Sequence, residues 1–130
     1  MPVASFHEYA RNVTDQLQET LRSGHAKSLA LEVDQRSVMR GQISGFLTFE
    51  DQSELHFREF VDVSQPEPKL AFAYHYQGAE RELIFRYDNA AHRPSLVMFP
   101  HMHITIEVVE CPVPTLMDVI DEILKRRDPW

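Results

Sequence analysis

The chain has a single cysteine, Cys111, among its 130 residues, so no internal disulfide can form. That fits a reducing cytoplasm, where thiols stay free. Lying next to Pro112 and near Pro114, Cys111 reads as a packed residue rather than a nucleophile. No apolar run approaches the roughly 20 residues that a helix needs to cross a bilayer. The start, MPVASFHEYARNV, has no basic segment followed by an apolar one, and no signal peptide is expected. Motifs of the larger ligand classes are missing: there is no GxGxxG, no phosphate loop, no GxSxG and no CxxC. Basic residues are also scarce, 13 against 20 acidic ones, for a net charge of −7. Such a chain does not coat nucleic acid through a broad basic surface, although a small basic pocket is compatible with it. Phe72, Tyr74 and Tyr76 are not interleaved with Lys or Arg as on RNA-stacking platforms, so they read as core and sheet aromatics.

Hydrophobic residues make up 43% and charged residues 25%, an ordinary globular balance. No repeat, low-complexity segment or linker interrupts it. The expectation is one domain, 1–130, large enough to bury a core without staples. Ser5 to about Arg22 predicts a helix. Ser5 and Glu8 have capping-box spacing, Phe6, Tyr9, Val13, Leu17 and Leu21 form one stripe, and Gly24 is a natural stop. The period then changes to two. Leu29, Leu31 and Val33 share a face, as do Ile43, Gly45, Leu47 and Phe49, and Leu55, Phe57, Glu59 and Val61. A loop within 50–54 would align Phe49 with Leu55, Leu47 with Phe57 and Gly45 with Glu59. After the QPEP break, a two-residue turn at Gly78-Ala79 would pair Tyr74 with Leu83 and Phe72 with Phe85. HMHITIEVV predicts a last strand, and Thr115 with Asp118 predicts the capping box of a helix over 115–126. The fold class is therefore α+β: a curved antiparallel β-meander of about six strands flanked by an N-terminal and a C-terminal helix. One or both helices would cover the apolar face. The other face is left to display His56, Arg58, His75, Glu82 and Arg86.

The densest polar stretch is FRYDNAAHRPSLVMFPHMH, residues 85–103. It carries Arg86, Asp88, Asn89, His92, His101 and His103. Asp88-Asn89 could simply cap a turn. In a functional reading, Arg86 offers a planar fork to a phosphate or carboxylate, His92 or His75 moves a proton, and Asp88 orients that histidine. Cleavage of a ribose-linked phosphodiester would use such a set. His101 and His103 alternate on a strand and could share a metal with His92 or Asp88, but no third ligand is fixed, so no metal or cofactor is expected. Glu59 puts a carboxylate on the core face. It is either a general base in a notch, or it marks a bulge or a strand end reaching solvent.

The runs GFLTFEDQSELHFREFV, YHYQ, LIFRYDNAAHRPSLVMFPHMHI and PTLMDVIDEI together resemble the TumE-type toxins of bacterial and archaeal toxin–antitoxin systems. The resemblance spans roughly Lys27 to Leu124. It is sharpest at FRYDNAAH and FPHMH, where the family form runs closer to RYDNAPHH and FPHHKH. Ala91, Arg93 and Met102 are the departures. On this resemblance Arg86, Tyr87, Asp88, Asn89, His92, His101 and His103 match the family run, and Glu59 and His75 match its earlier strands. The resemblance implies a cytoplasmic toxin paired with a small helix-turn-helix antitoxin encoded nearby. RNA is the candidate target and a second copy of the chain a candidate partner. Arg86, Asp88, His92, His75 and Glu59 are the candidate catalytic residues, with Tyr87, Asn89, His101 and His103 as ligand contacts. The alternative is a non-catalytic ligand- or partner-binding protein. A metal-dependent hydrolase is a third reading.

Overall fold

The computed structural model describes residues 4–89, 95–98, 105–107 and 113–127. Helix α1 (Phe6–Arg22) starts where the sequence predicts it. Ser5 Oγ accepts from Glu8 N at 3.2 Å, while the Glu8 carboxylate accepts from Ala4 N, one residue further out than a capping box requires. Gly24 ends the turn after the helix at φ +84°, a left-handed conformation that glycine adopts without strain. Seven antiparallel strands follow in simple sequence order: β1 (Ser28–Gln35), β2 (Arg40–Thr48), β3 (Glu54–Asp62), β4 (Lys69–Gln77), β5 (Leu83–Asp88), β6 (Ser95–Met98) and β7 (Thr105–Glu107). Helix α2 (Leu116–Arg127) closes the order. Its capping box is reciprocal: Thr115 Oγ1 accepts from Asp118 N and Asp118 Oδ2 accepts from Thr115 N, both at 3.0 Å.

The α+β class is as the sequence predicts. The sheet has one strand more than the six expected, because β6 lies between the strands that the alternation marks. Both helices lie on one face. Phe6, Val13 and Leu17 of α1 and Leu116, Val119, Ile120 and Ile123 of α2 share a buried core with Ile43, Leu47, Leu55, Phe57, Phe72, Tyr74 and Phe85. Full burial of one such side chain contributes about 1.5–3 kcal/mol. Gly41 admits the first of them. A Cβ there would stand 2.3 Å from the Phe6 ring, so any larger residue would push α1 off β2.

The strand faces are those the period of two predicts, but both hairpin registers differ. Leu47 pairs with Leu55 and Gly45 with Phe57, and Glu59 lies opposite Ile43 rather than Gly45. Tyr74 pairs with Tyr87 and Tyr76 with Phe85, not Tyr74 with Leu83. The turn causes the first shift, and the turn together with a register slip between Tyr76 and Gln77 causes the second. Phe49 N donates to Ser53 O at 2.9 Å and Gly78 N to Glu82 O at 2.9 Å, so each loop has three residues. The third loop residue takes a left-handed conformation in each: Gln52 at φ 71° and Arg81 at φ 67°. That is the three-residue hairpin with a bulge, formed here without glycine at the left-handed position. An even shift moves partners along the strand but leaves every side chain on its face. Apolar pattern alone cannot detect it.

Candidate functional site

On the face away from the helices, three neighbouring strands bring a line of polar side chains together. The register sets Phe46 beside His56, His56 beside His75, and His75 beside Arg86. Directly opposed residues on adjacent strands stand close enough to touch. His56, Arg58, His75 and Arg86 line an open hollow of about 530 Å³, floored by Gly45 and Ala73. None of its lining residues is acidic. This is the local basic pocket that an acidic chain allows.

Hydrogen bonds fix the chemistry of the hollow. The Glu54 carboxylate can only accept, and it accepts from Gln77 Nε2 at 3.2 Å. The Gln77 amide oxygen therefore faces His75 Nε2, at 3.2 Å. An amide oxygen accepts, so Nε2 carries the proton of a neutral ring and Nδ1 keeps the lone pair. Nδ1 faces Arg86 Nη1 at 3.4 Å. Burial, and then the Arg86 charge, holds the His75 pKa below the usual imidazole value of 6.5. At neutral pH the ring is a proton acceptor directed at a guanidinium. Arg86 is fixed in turn by Asp88, whose Oδ2 accepts from Nε at 2.8 Å. Glu54 also holds the second imidazole, with His56 Nε2 at 3.1 Å from its Oε1, and Phe46 stacks on that ring at 5.1 Å. Arg58 is exposed and has no ion pair among the described residues.

The candidate residues separate by face. His75, Arg86 and Asp88 converge, and the Asp88 carboxylate accepts from the arginine. Tyr87 lies on the helix side, where its hydroxyl donates to Glu122 Oε2 at 2.8 Å. Asn89 works on the backbone. Its Oδ1 accepts from Phe72 N at 3.0 Å and its Nδ2 donates to Leu70 O at 3.2 Å, which extends the ladder past the end of β5. Glu82 belongs to the β4–β5 turn, its carboxylate accepting from Glu80 N. His92, His101, His103 and Cys111 lie outside the described residues, as do Ala91, Arg93 and Met102. Glu54 and Gln77 were missed by sequence reasoning. Their signal was available: Glu54-His56-Arg58 and His75-Gln77 alternate on the outward positions of paired strands.

Glu59 is sealed under the helices, 1% exposed. The β3–β4 ladder does slip, but between Phe60 and Val61; Glu59 itself pairs in register with Ile43 and Phe72 and does not reach solvent. Tyr9 and Tyr74 donate their hydroxyls to its two oxygens, and Lys69 Nζ stands 3.6 Å from Oε2. Lys69 also donates to Tyr74 Oη and to Pro114 O. Burial, and then the Glu59 charge, pushes both tyrosine pKa values far up. Burial pulls Lys69 below its usual value against the attraction of Glu59 and Glu67. No buried side-chain polar atom among the described residues is left unpartnered. A hollow of about 430 Å³ between α1, the start of β4 and the start of α2 reaches this cluster.

A family model described as toxin TumE matches residues 14–128. The chain belongs to the TumE toxin family. No curated protein and no solved structure matches it. The TumE match covers every residue of the open-face hollow and Glu59, Lys69 and Tyr74 of the sealed cluster, while Tyr9 lies before its first residue. Among the described residues of this TumE-family chain, no helix is long and apolar enough to cross a membrane, and no three His, Cys, Asp or Glu side chains gather as a metal set would.

Proposed function

We propose that this TumE-family chain is the toxin of a two-component toxin–antitoxin pair and that it acts on the RNA backbone through the open-face hollow. One observation carries the reading: the His75 lone pair and the Arg86 guanidinium address the same spot, 3.4 Å apart, on a face that no described helix covers. A phosphate drawn in by Arg86 would take the guanidinium's contact and set its own neighbouring hydroxyl against Nδ1. Asp88 holds the Arg86 Nε, and the Nη1 that stands 3.4 Å from His75 Nδ1 is the donor a phosphate would engage in its place. The neutral His75 is the proton acceptor. Arg58 adds a second positive charge at the rim, which offsets the acidic balance of the whole chain where a polyanion would bind. The proposed partner is a helix-turn-helix antitoxin encoded beside the gene.

Induced expression with and without the neighbouring gene tests the pairing, and incubation of the purified chain with RNA tests the chemistry. We expect growth arrest that the neighbour relieves, and RNA cleavage lowered on the order of 100- to 10,000-fold in His75→Ala and Arg86→Ala. Thermal melts of both variants should stay close to the parent. A harmless parent that cuts no RNA would hand the chain to the partner-binding reading.

A further inference from the structure

We infer that the hollow is a two-histidine site for transesterification of RNA, in which His75 takes the proton of the 2′-hydroxyl and His56 delivers one to the departing 5′-oxygen. The inference rests on the RNA reading above and names its substrate class, a strand with a free 2′-hydroxyl beside the scissile phosphate. The sequence and the family match leave His56 without a role.

The geometry supplies the argument. His56 and His75 are direct partners across β3 and β4, with ring centroids 6.4 Å apart and planes at 82°. The two rings meet edge to face, and each proton transfer needs a heavy-atom contact of roughly 2.6–3.2 Å, so one phosphodiester group can reach both. The two rings are also held by one hydrogen-bonded chain. His56 Nε2 meets Glu54 Oε1, Glu54 accepts from Gln77, and Gln77 accepts from His75. With Nε2 occupied on each ring, Nδ1 is the nitrogen left to serve a ligand on both. Phe46 stacks on His56 at an interplanar angle of 23° and sets the ring plane. Glu54, Gln77 and Phe46 are positioning residues. They touch the imidazoles and not the substrate.

The chemistry requires two groups. As the 2′-oxygen attacks phosphorus its proton passes to His75 Nδ1. The O2′–P bond forms, the P–O5′ bond breaks, and the 5′-oxygen takes a proton from the His56 imidazolium. The products are a 2′,3′-cyclic phosphate and a 5′-hydroxyl. Atoms and charge balance without water, an oxidant or a metal, and solvent exchange resets both rings. A lone base would end protonated on the attacking side, with nothing to neutralise the leaving alkoxide. Arg86 and Arg58, which line the same hollow, face the charge that develops on the non-bridging oxygens. Gln42 and Ser44 on β2, Glu54 and Arg58 on its own strand, His75 and Gln77 on β4 and Arg86 on β5 are the charged and polar groups around His56; among the described residues no helix covers this face.

The test uses the full-length chain and one mixed-sequence RNA oligonucleotide whose cut site is first mapped with the parent. Three versions of that strand are compared: unmodified, 2′-deoxy on the 5′ side of the scissile phosphate, and carrying sulfur in place of the 5′ bridging oxygen. We expect the parent to leave a 2′,3′-cyclic phosphate and to spare the 2′-deoxy strand. His56→Ala and His56→Gln should each lose on the order of 100- to 10,000-fold on unmodified RNA. Both should recover most of that loss on the 5′-thio strand, because a thiolate leaves without a proton; a merely structural role would show no such recovery. His75→Ala should not recover. Full activity of both His56 variants or no 5′-thio recovery would each overturn the two-histidine inference alone; cleavage that leaves a 3′-hydroxyl, or equal cutting of the 2′-deoxy strand, would overturn it together with the role of His75 toward the neighbouring hydroxyl. A parent that cuts no RNA would overturn the proposed function and this inference with it.

Discussion

The two faces of the sheet carry similar residues and put them to opposite use. Three adjacent pairs show it. Arg58 and Glu59 on β3, His75 and Tyr74 on β4, and Arg86 and Tyr87 on β5 sit side by side in sequence, yet one of each faces the open hollow and the other faces the helices. Under the helices, Glu59, Lys69, Tyr9 and Tyr74 satisfy one another and leave no free polar atom. On the open side, the His75 lone pair has only a 3.4 Å contact with a cation, and Arg58 has no ion pair among the described residues. Buried charge must be matched or the fold fails, so the sealed cluster has no capacity left for a ligand. Chemical capacity collects where solvent, and hence substrate, can reach.

The largest effect expected from breaking this contrast is on the sealed side. Glu59→Ala strands a buried ammonium and two buried hydroxyls, and should cost about 3–5 kcal/mol of stability. Replacing the whole cluster at once, Glu59→Leu, Lys69→Met, Tyr9→Phe and Tyr74→Phe, leaves only Pro114 O without its donor and should recover most of that loss. Chemical denaturation of both variants measures it. A single Glu59→Ala that melts like the parent would mean the cluster is not a closed structural unit.

The open side should respond the other way. His75→Ala and Arg86→Ala should lower RNA cleavage on the order of 100- to 10,000-fold while changing stability by no more than about 1 kcal/mol. If either variant lost several kcal/mol, the open hollow would be as structural as the sealed cluster, and the contrast would collapse.

How much of this was legible follows from period and range. Side-chain alternation placed His56, Arg58, His75 and Arg86 on one face, and the helix stripes placed the core on the other. That information is local. The two hairpin registers were not legible, because they depend on Gln52 and Arg81 adopting left-handed backbone, which neither residue type advertises. Strand β6 was not legible because Ser95–Met98 is too short to show a period. The Glu59 cluster was visible only as an anomaly. Its partners Tyr9, Lys69 and Tyr74 come from α1 and β4, and no spacing rule connects them. Tyr87 and Asn89 fell inside a polar run that looked like one site, but a strand sends neighbours to opposite faces and its end returns to the backbone.

A smaller effect sharpens the electrostatic side of the comparison. The folded state holds the His75 pKa below 6.5, through burial first and the Arg86 charge second. A histidine shifted down is favoured as the neutral ring, so its contribution to stability is complete above pH 6.5. It fades as pH falls below that value towards the folded pKa. Unfolding free energy of the parent should therefore drop more steeply on acidification than that of His75→Gln. Denaturation midpoints taken on both sides of pH 6.5 decide it. Parallel curves for the two proteins would show that Arg86 and burial do not act on this ring as the geometry requires.

The smallest effect tests the hydrogen-bonded chain itself. Gln77 presents its amide oxygen to His75 Nε2 because Glu54 claims the amide nitrogen. Gln77→Leu keeps the bulk at this half-buried position and removes both bonds. His75 then loses the partner that fixes its tautomer, and the lone pair is free to move from Nδ1 to Nε2. One such hydrogen bond is worth about 1 kcal/mol, so the expected cost is about fivefold in cleavage rate, well below that of removing the imidazole. Nitrogen chemical shifts of the ring read the tautomer directly. The parent should show a protonated Nε2 at neutral pH, and Gln77→Leu a mixture. Glu54→Gln is the companion variant, since its amide no longer dictates which way Gln77 points, and it should mix the tautomers in the same manner. If the ring in Gln77→Leu stays wholly in the Nε2–H form, then Arg86 alone sets the tautomer by repelling a proton from Nδ1, and the chain from Glu54 through Gln77 is packing rather than control.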